Sequence, residues 1–165
     1  MRKNIVIIIM LSFASLFSCR ITPILPVGGD WTSGFDGNRY ITRSSQYCTM
    51  KTGAYSRSAY FIPYVYSSNR ISFAFTYNHG TGPIELGKDE QCILNVTYDN
   101  GYSSYCLSGL TEGNQIVFTD YDSQKLIEAM RKSSRIDLVF ACSDLSFTCR
   151  SFDCYGFDYA YRYIL

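Results

Sequence analysis

The chain has 165 residues, 15 basic and 14 acidic, with 47% hydrophobic and only 18% charged side chains. That length predicts one domain around a single core, and so high an apolar share excludes a disordered chain. A net charge of +1 lacks the broad basic field that holds polyphosphate, so nucleic acid is not expected as a partner.

Residues 1–19 begin Met1-Arg2-Lys3-Asn4, run apolar from Ile5 to Phe17 and end in Ser18-Cys19. A basic start, about a dozen apolar or small residues and a small residue before the break describe a secretory signal. Arg20 ends the run short of the ~20 residues a bilayer span needs. Leu16-Phe17-Ser18-Cys19 resembles the lipobox of bacterial lipoproteins, although Phe17 replaces the small residue usual there. The resemblance implies cleavage before Cys19, a lipid on that cysteine, and a membrane partner through the anchor. Arg20 rather than Asp follows, so the inner-membrane retention signal is missing. The expected location is the bacterial cell envelope, at the outer membrane in a diderm host. The expected division is 1–18 signal peptide, 19–30 lipidated Cys and tether (Pro23, Pro26, Gly28, Gly29), and 31–165 a single β-rich domain. Loss of Arg2 and Lys3 with the signal lowers the net charge by two, from +1 to −1.

Beyond the tether the chain reads as strands. Tyr40–Thr49 and Ala59–Tyr66 are aromatic and β-branched, and Ile71–Tyr77 alternates Ile71, Phe73, Phe75 and Tyr77 with smaller residues. Cys92–Tyr98 alternates likewise, and Asp99-Asn100-Gly101 predicts a hairpin turn into Tyr102–Leu107. Gln115–Thr119, Arg135–Cys142 and Ser146–Phe152 complete the set. One helix interrupts it. Asp122 or Ser123 is placed to cap it, Leu126, Ile127 and Met130 form its apolar stripe, and Arg131, Lys132 and Arg135 gather at its end. Among the last ten residues, Phe157, Tyr159, Tyr161 and Tyr163 alternate as a strand would, while Phe157, Ala160, Tyr161 and Ile164 fit one helical face. The expected fold is mainly β: an antiparallel β-sandwich-like single domain with one inserted helix and a short C-terminal helix as one reading of its end.

Of seven cysteines, the lipobox accounts for Cys19 and leaves Cys48, Cys92, Cys106, Cys142, Cys149 and Cys154. An even set in an exported chain reads as disulfides. A turn between Cys142 and Cys149 would set those two opposite each other, and the Asn100-Gly101 turn would bring Cys92 diagonally across from Cys106. No CxxC pair occurs, so no metal is expected. No cofactor is expected either.

Catalytic candidates are few. His79, the single imidazole, lies in the loop Asn78-His79-Gly80-Thr81-Gly82, which lacks the spacing and Lys of a phosphate loop. No GxSxG elbow accompanies it, and it reads as an exposed loop residue. Asp120 and Asp122 could serve as a glycosidase pair, but helix capping explains them more simply. Tyr55, Tyr102, Tyr105, Tyr155 and Tyr159 stand near turns or polar neighbours and are candidates for a contact surface, since Tyr combines large area, few rotors and a polar tip.

From Val117 onward the order strand, helix, strand resembles the C-terminal half of the invasion-associated locus B family. The carrying residues are Phe118, Leu126, Ile127, Met130 and Lys132, then Ile136-Asp137-Leu138-Val139-Phe140, and finally Gly156-Phe157 with Ala160. Asp30-Trp31 matches the Trp that opens the family's domain. The family's paired-Cys motif upstream of the helix is missing, and Cys149 and Cys154 are extra. The resemblance implies a small exported β-rich protein linked to host invasion, with a closing helix over Gly156–Ile164 and no assigned catalytic residues. The expected function is therefore non-enzymatic: an envelope lipoprotein that binds an unidentified protein partner, with the host interface as one setting. Small-ligand or glycan binding through exposed Tyr is the alternative, and a hydrolase using His79 or the Asp120/Asp122 pair ranks third.

Overall fold

A computed structural model describes residues 25–165, apart from 80, 99, 100 and 102. The signal, Cys19, Tyr102 and most of the Asp99-Asn100-Gly101 turn lie outside the described residues. Twelve strands and two helices follow in order: β1 Leu25–Gly28, β2 Trp31–Phe35, β3 Arg39–Arg43, β4 Gln46–Thr52, β5 Tyr55–Tyr66, β6 Ile71–Asn78, β7 Thr81–Pro83, β8 Lys88–Tyr98, β9 Ser103–Glu112, β10 Gln115–Phe118, α1 Asp120–Lys132, β11 Arg135–Ala141, β12 Leu145–Asp153 and α2 Phe157–Ile164.

The protein is mainly β, but it is a barrel and not a sandwich. Antiparallel neighbours run β5–β4–β12–β11–β8–β9–β10–β6, and β6 pairs back onto β5 from Tyr60↔Thr76 to Val65↔Ile71, which closes eight strands into a ring. Inward and outward residues alternate along a strand in either architecture, so the alternation that predicts the strands cannot tell them apart. The closing pairs decide it.

β5 is long enough to serve two partners on one edge. Tyr55–Phe61 pair with β4, and Tyr64–Tyr66 pair with β3. Pro63, which has no N–H to donate, sits at the break between the two ladders, and Thr42 Oγ1 donates to its carbonyl at 2.7 Å. The expected single strand over Tyr40–Thr49 is accordingly two, split at Ser44-Ser45 as the chain passes from one ladder to the next. β1, β2 and β3 extend this edge outside the barrel, so part of the stretch expected as tether is strand.

The lumen is solid. Phe61, Phe73, Phe75, Phe118, Phe140, Phe147 and Phe152 are fully buried. The Phe140 ring lies 5.0 Å from Phe73 and 5.2 Å from Phe75, both edge-on, the geometry that aromatic quadrupoles favour. One end is covered by the helices. α1 buries Leu126, Ile127, Ala129 and Met130, and α2 buries Phe157, Ala160, Tyr161 and Ile164; the helical reading of the C-terminal residues is the one the fold adopts. At the other end residues 84–87 fold inward, with Ile84 N donating to the Phe75 carbonyl at 3.0 Å and Leu86 N to the Gly113 carbonyl at 2.8 Å. Ile84 and Leu86 are thereby buried.

The start of α1 corrects one expectation. Thr119, extended at φ −130°, is the N-cap and makes no side-chain cap bond. Asp120 and Asp122 stand in the first turn, where carboxylates complement the helix dipole. Ser123 Oγ instead donates to the carbonyls of Asp120, at 2.8 Å, and Asn69, which ties the helix to the β5–β6 turn.

Candidate binding surface and cysteine sites

With the lumen filled and both ends covered, the exposed side chains lie on the outside. The helical end carries three exposed tyrosines. Tyr155, Tyr159 and Tyr163 are 72%, 69% and 54% exposed. Residues four apart share a helix face, so Tyr159 and Tyr163 stand together opposite the buried Phe157, Ala160, Tyr161 and Ile164. Tyr155 precedes them in the turn that Gly156 completes at φ +78°. That turn is anchored from beneath, because Trp31 Nε1 donates to the Tyr155 carbonyl at 3.1 Å and the Trp31 ring meets Phe157 at 5.1 Å.

Beside this face, α1 and α2 border a groove of about 790 Å³ lined by Gln124, Glu128, Arg131, Asp158, Arg162 and Leu165, among others. Its charges satisfy one another. Arg131 contacts Asp158 at 2.5 Å, Arg162 contacts Asp158 at 2.7 Å, and Lys132 contacts Glu128 at 2.5 Å. The hydrogen bond from Arg131, aided by its charge and that of Arg162, holds Asp158 below its ordinary value.

A second aromatic group lies on the barrel wall. Tyr47 and Tyr60 are directly paired across β4 and β5, with ring centroids 5.9 Å apart. His79, turned back by a positive φ of 35°, lies 3.9 Å from the Tyr60 ring. Next to Tyr47 a groove of about 360 Å³ is lined by Tyr47, Thr49, Lys51, Thr148 and Arg150. Thr49 and Ser58 hydroxyls bond the Tyr47 phenol and lower its pKa.

The other predicted tyrosines separate. Tyr55 is exposed at the β4–β5 turn. Tyr105 is half-buried: Tyr98 Oη donates to its Oη at 2.7 Å, and Lys125 Nζ stands 5.8 Å from its ring centre. Sequence reading overlooked Tyr163, although its four-residue spacing from Tyr159 is the signal that a helical C-terminus would have supplied.

Strand register places the cysteines differently from the hairpin expectation. The β11–β12 turn is tight, Ala141 faces Ser146, and Cys149 therefore faces Leu138, well along the strand from Cys142. In β8–β9, Cys106 faces Asn95 and points outward, while Cys92 faces Gly109 and points into the core. What comes together instead is Cys92 with Cys142, whose sulfurs lie 2.8 Å apart. Cys48, Cys149 and Cys154 are buried too, and burial pushes each thiol up to about 12. Among the described residues, no group of three or more His, Cys, Asp or Glu side chains is placed to hold a metal ion, and no helix is long and apolar enough to cross a membrane. No family model, no curated protein and no solved structure matches the chain.

Proposed function

We propose that the chain is a non-enzymatic protein-binding module, held at the bacterial cell envelope by a lipid on Cys19, with the outer face of α2 as its contact surface. The observation that carries this reading is the placement of Tyr155, Tyr159 and Tyr163 on the solvent side of a helix whose opposite side is locked into the core. Such a face is preorganised, so ordering it costs a partner little, and aromatic anchors of this kind dominate interface energies. The sealed, phenylalanine-filled lumen supports the same reading, since the usual interior ligand site of a barrel is filled by side chains.

The test is a photo-crosslinking residue at position 159, with one at the outward Ser108 on β9 as control, in cells that produce the full chain. A discrete adduct from 159 that Tyr155→Ser and Tyr163→Ser each weaken supports the contact face. Equal adducts from 108 and 159, or none from 159, sink it.

A second reading, a small-ligand or glycan binder, is favoured by one observation: the Tyr60–His79 stack beside Tyr47 and the groove that Lys51 and Arg150 border. A sugar ring packs on aromatic faces, and the two cations suit an acidic one. Titration with acidic oligosaccharides, followed by quenching of tyrosine fluorescence in the protein and in Tyr47→Ala, distinguishes the two.

A further inference from the structure

We infer that Cys92 and Cys142 form a redox couple, a dithiol that closes to an intramolecular disulfide by exchange with a disulfide-bearing small molecule or protein. Two independent features carry it. The first is register. β11 and β8 pair antiparallel up to Ala141↔Ile93, so the next position sets Cys142 against Cys92. Directly opposed residues in an antiparallel ladder have Cα atoms ~4.5–5.5 Å apart, inside the ~4.4–6.8 Å window of disulfides. The second is side-chain placement: the two sulfurs lie 2.8 Å apart, well inside the ordinary contact distance of unbonded sulfurs. Backbone and side chains agree, and no hinge motion is needed to join them.

The two thiols are not equivalent. Cys142 is half-buried at the barrel rim, beyond the end of β11, whereas Cys92 is fully buried. Their shared hydrogen bond raises the Cys92 thiol and holds Cys142 below the ordinary thiol value, against partial burial and the nearby Glu90 carboxylate. The thiolate is the nucleophile in exchange, so Cys142 is the entering sulfur and Cys92 the resolving one. Cys142–SH gives its proton to solvent, and Cys142–S⁻ attacks one sulfur of R–S–S–R, forming Cys142–S–S–R and releasing RS⁻, which takes that proton up. The Cys92 sulfur then attacks the Cys142 sulfur as its proton passes to the departing second RS⁻, which leaves as RSH. The balance is two protein thiols and one R–S–S–R giving one protein disulfide and two RSH, with two electrons passing to the external disulfide.

The remaining cysteines serve as internal controls. Cys48 on β4 and Cys149 on β12 also come opposite one register step beyond Thr49↔Thr148, but they are buried and protonated and lack an entering thiolate. Cys106 is exposed and has no opposed cysteine.

The experiment equilibrates the purified, folded full chain with mixtures of reduced and oxidised glutathione, blocks free thiols and maps peptides without reduction. A peptide joining Cys92 to Cys142 is expected to rise with the oxidised fraction. In native reduced protein, alkylation of Cys142 should outpace that of Cys48, Cys149 and Cys154 by more than roughly tenfold. In a Cys106→Ser background, Cys92→Ser should accumulate glutathione on Cys142, and Cys142→Ser should accumulate none on Cys92. Absence of the joined peptide at every ratio overturns the couple. A joined peptide together with glutathione trapped on Cys92 in the Cys142→Ser protein overturns the assigned order of attack.

Discussion

Trp31 and Tyr155 are 124 positions apart in sequence, yet the indole N–H of the first donates to the main-chain carbonyl of the second at 3.1 Å. This bond joins the outer strand β2 to the turn that launches α2. The Cβ that Gly29 lacks would stand 2.9 Å from the same carbonyl, so strand and turn meet with no room for a side chain between them. Trp31→Phe keeps a ring in the slot but leaves the carbonyl without its donor, and should lower unfolding free energy by about 1–3 kcal/mol. Trp31→Ala, which also empties the space, should cost about 3–5 kcal/mol. Urea unfolding followed by far-UV circular dichroism ranks the two.

Gly109 offers a sharper packing test. A Cβ there would lie 2.9 Å from the Val117 carbonyl and 2.8 Å from the Phe118 ring. Neither can retreat, because β10 is paired and Phe118 is locked in the core. Gly109→Ala should destabilise by about 1–3 kcal/mol through overpacking, while the neighbouring outward Ser108→Ala should stay within about 0.5 kcal/mol. Equal midpoints for the two variants would show that the strands there are looser than described.

The contact face and the core should respond oppositely to mutation. Tyr155→Ser and Tyr163→Ser should change stability by less than about 0.5 kcal/mol yet weaken the crosslink formed from position 159. Phe140→Ala should cost about 3–5 kcal/mol. His79→Ala should leave both stability and partner contact intact. Loss of function in His79→Ala at an unchanged melting temperature would overturn the α2 contact face and point to a site at the Tyr60–His79 stack.

Acid should loosen the helical end first. Asp158 is held below its unfolded value by Arg131 and Arg162, and a depressed carboxylate contributes stability that is present above the unfolded pKa and lost as pH falls through the folded one. The onset is therefore near pH ~4, and Asp158→Asn should flatten that part of the stability profile. Because the pairs are largely solvated, added salt should shrink the effect. Amide exchange in α2, measured from pH 6 down to pH 3, reads the change locally.

Lipid attachment is tested by metabolic labelling with a fatty acid. Cys19→Ser should remove the label and either leave uncleaved precursor or release a soluble form, because a mature lipoprotein carries several chains and each adds to membrane retention. Identical partitioning of both proteins would contradict the anchor.

Local chemistry made much of this fold legible. Ile71, Phe73 and Phe75 alternate inward as their spacing demands, and Leu126, Ile127 and Met130 form the buried stripe of α1. The barrel was not legible, because closure depends on which edges meet, and Tyr60↔Thr76 or Thr49↔Thr148 leave no mark on either strand alone. Cysteine pairing failed for the same reason. Spacing suggested the hairpins, but the turn brings Leu145, four residues before Cys149, opposite Cys142, and leaves Cys142 beside Cys92. Tyr155 and Tyr159 stood out as exposed from their polar neighbours. Tyr163 needed the helix to be known first.

The pairing of β4 with β12 sets when this protein can become itself. Thr49 finds Thr148 only after nearly the whole chain has been made, so every strand before β12 waits with β4 presenting a bare row of amide donors and acceptors. Such edges recruit other chains, and late, long-range closure of this kind folds slowly. A product cut short before Leu145 would carry two open edges, on β4 and β11, and would be drawn to assemble with its neighbours. Commitment to the native state thus lies in the last twenty-one residues, which both seal the ring and lay the tyrosine-bearing helix against β1, β2 and β3.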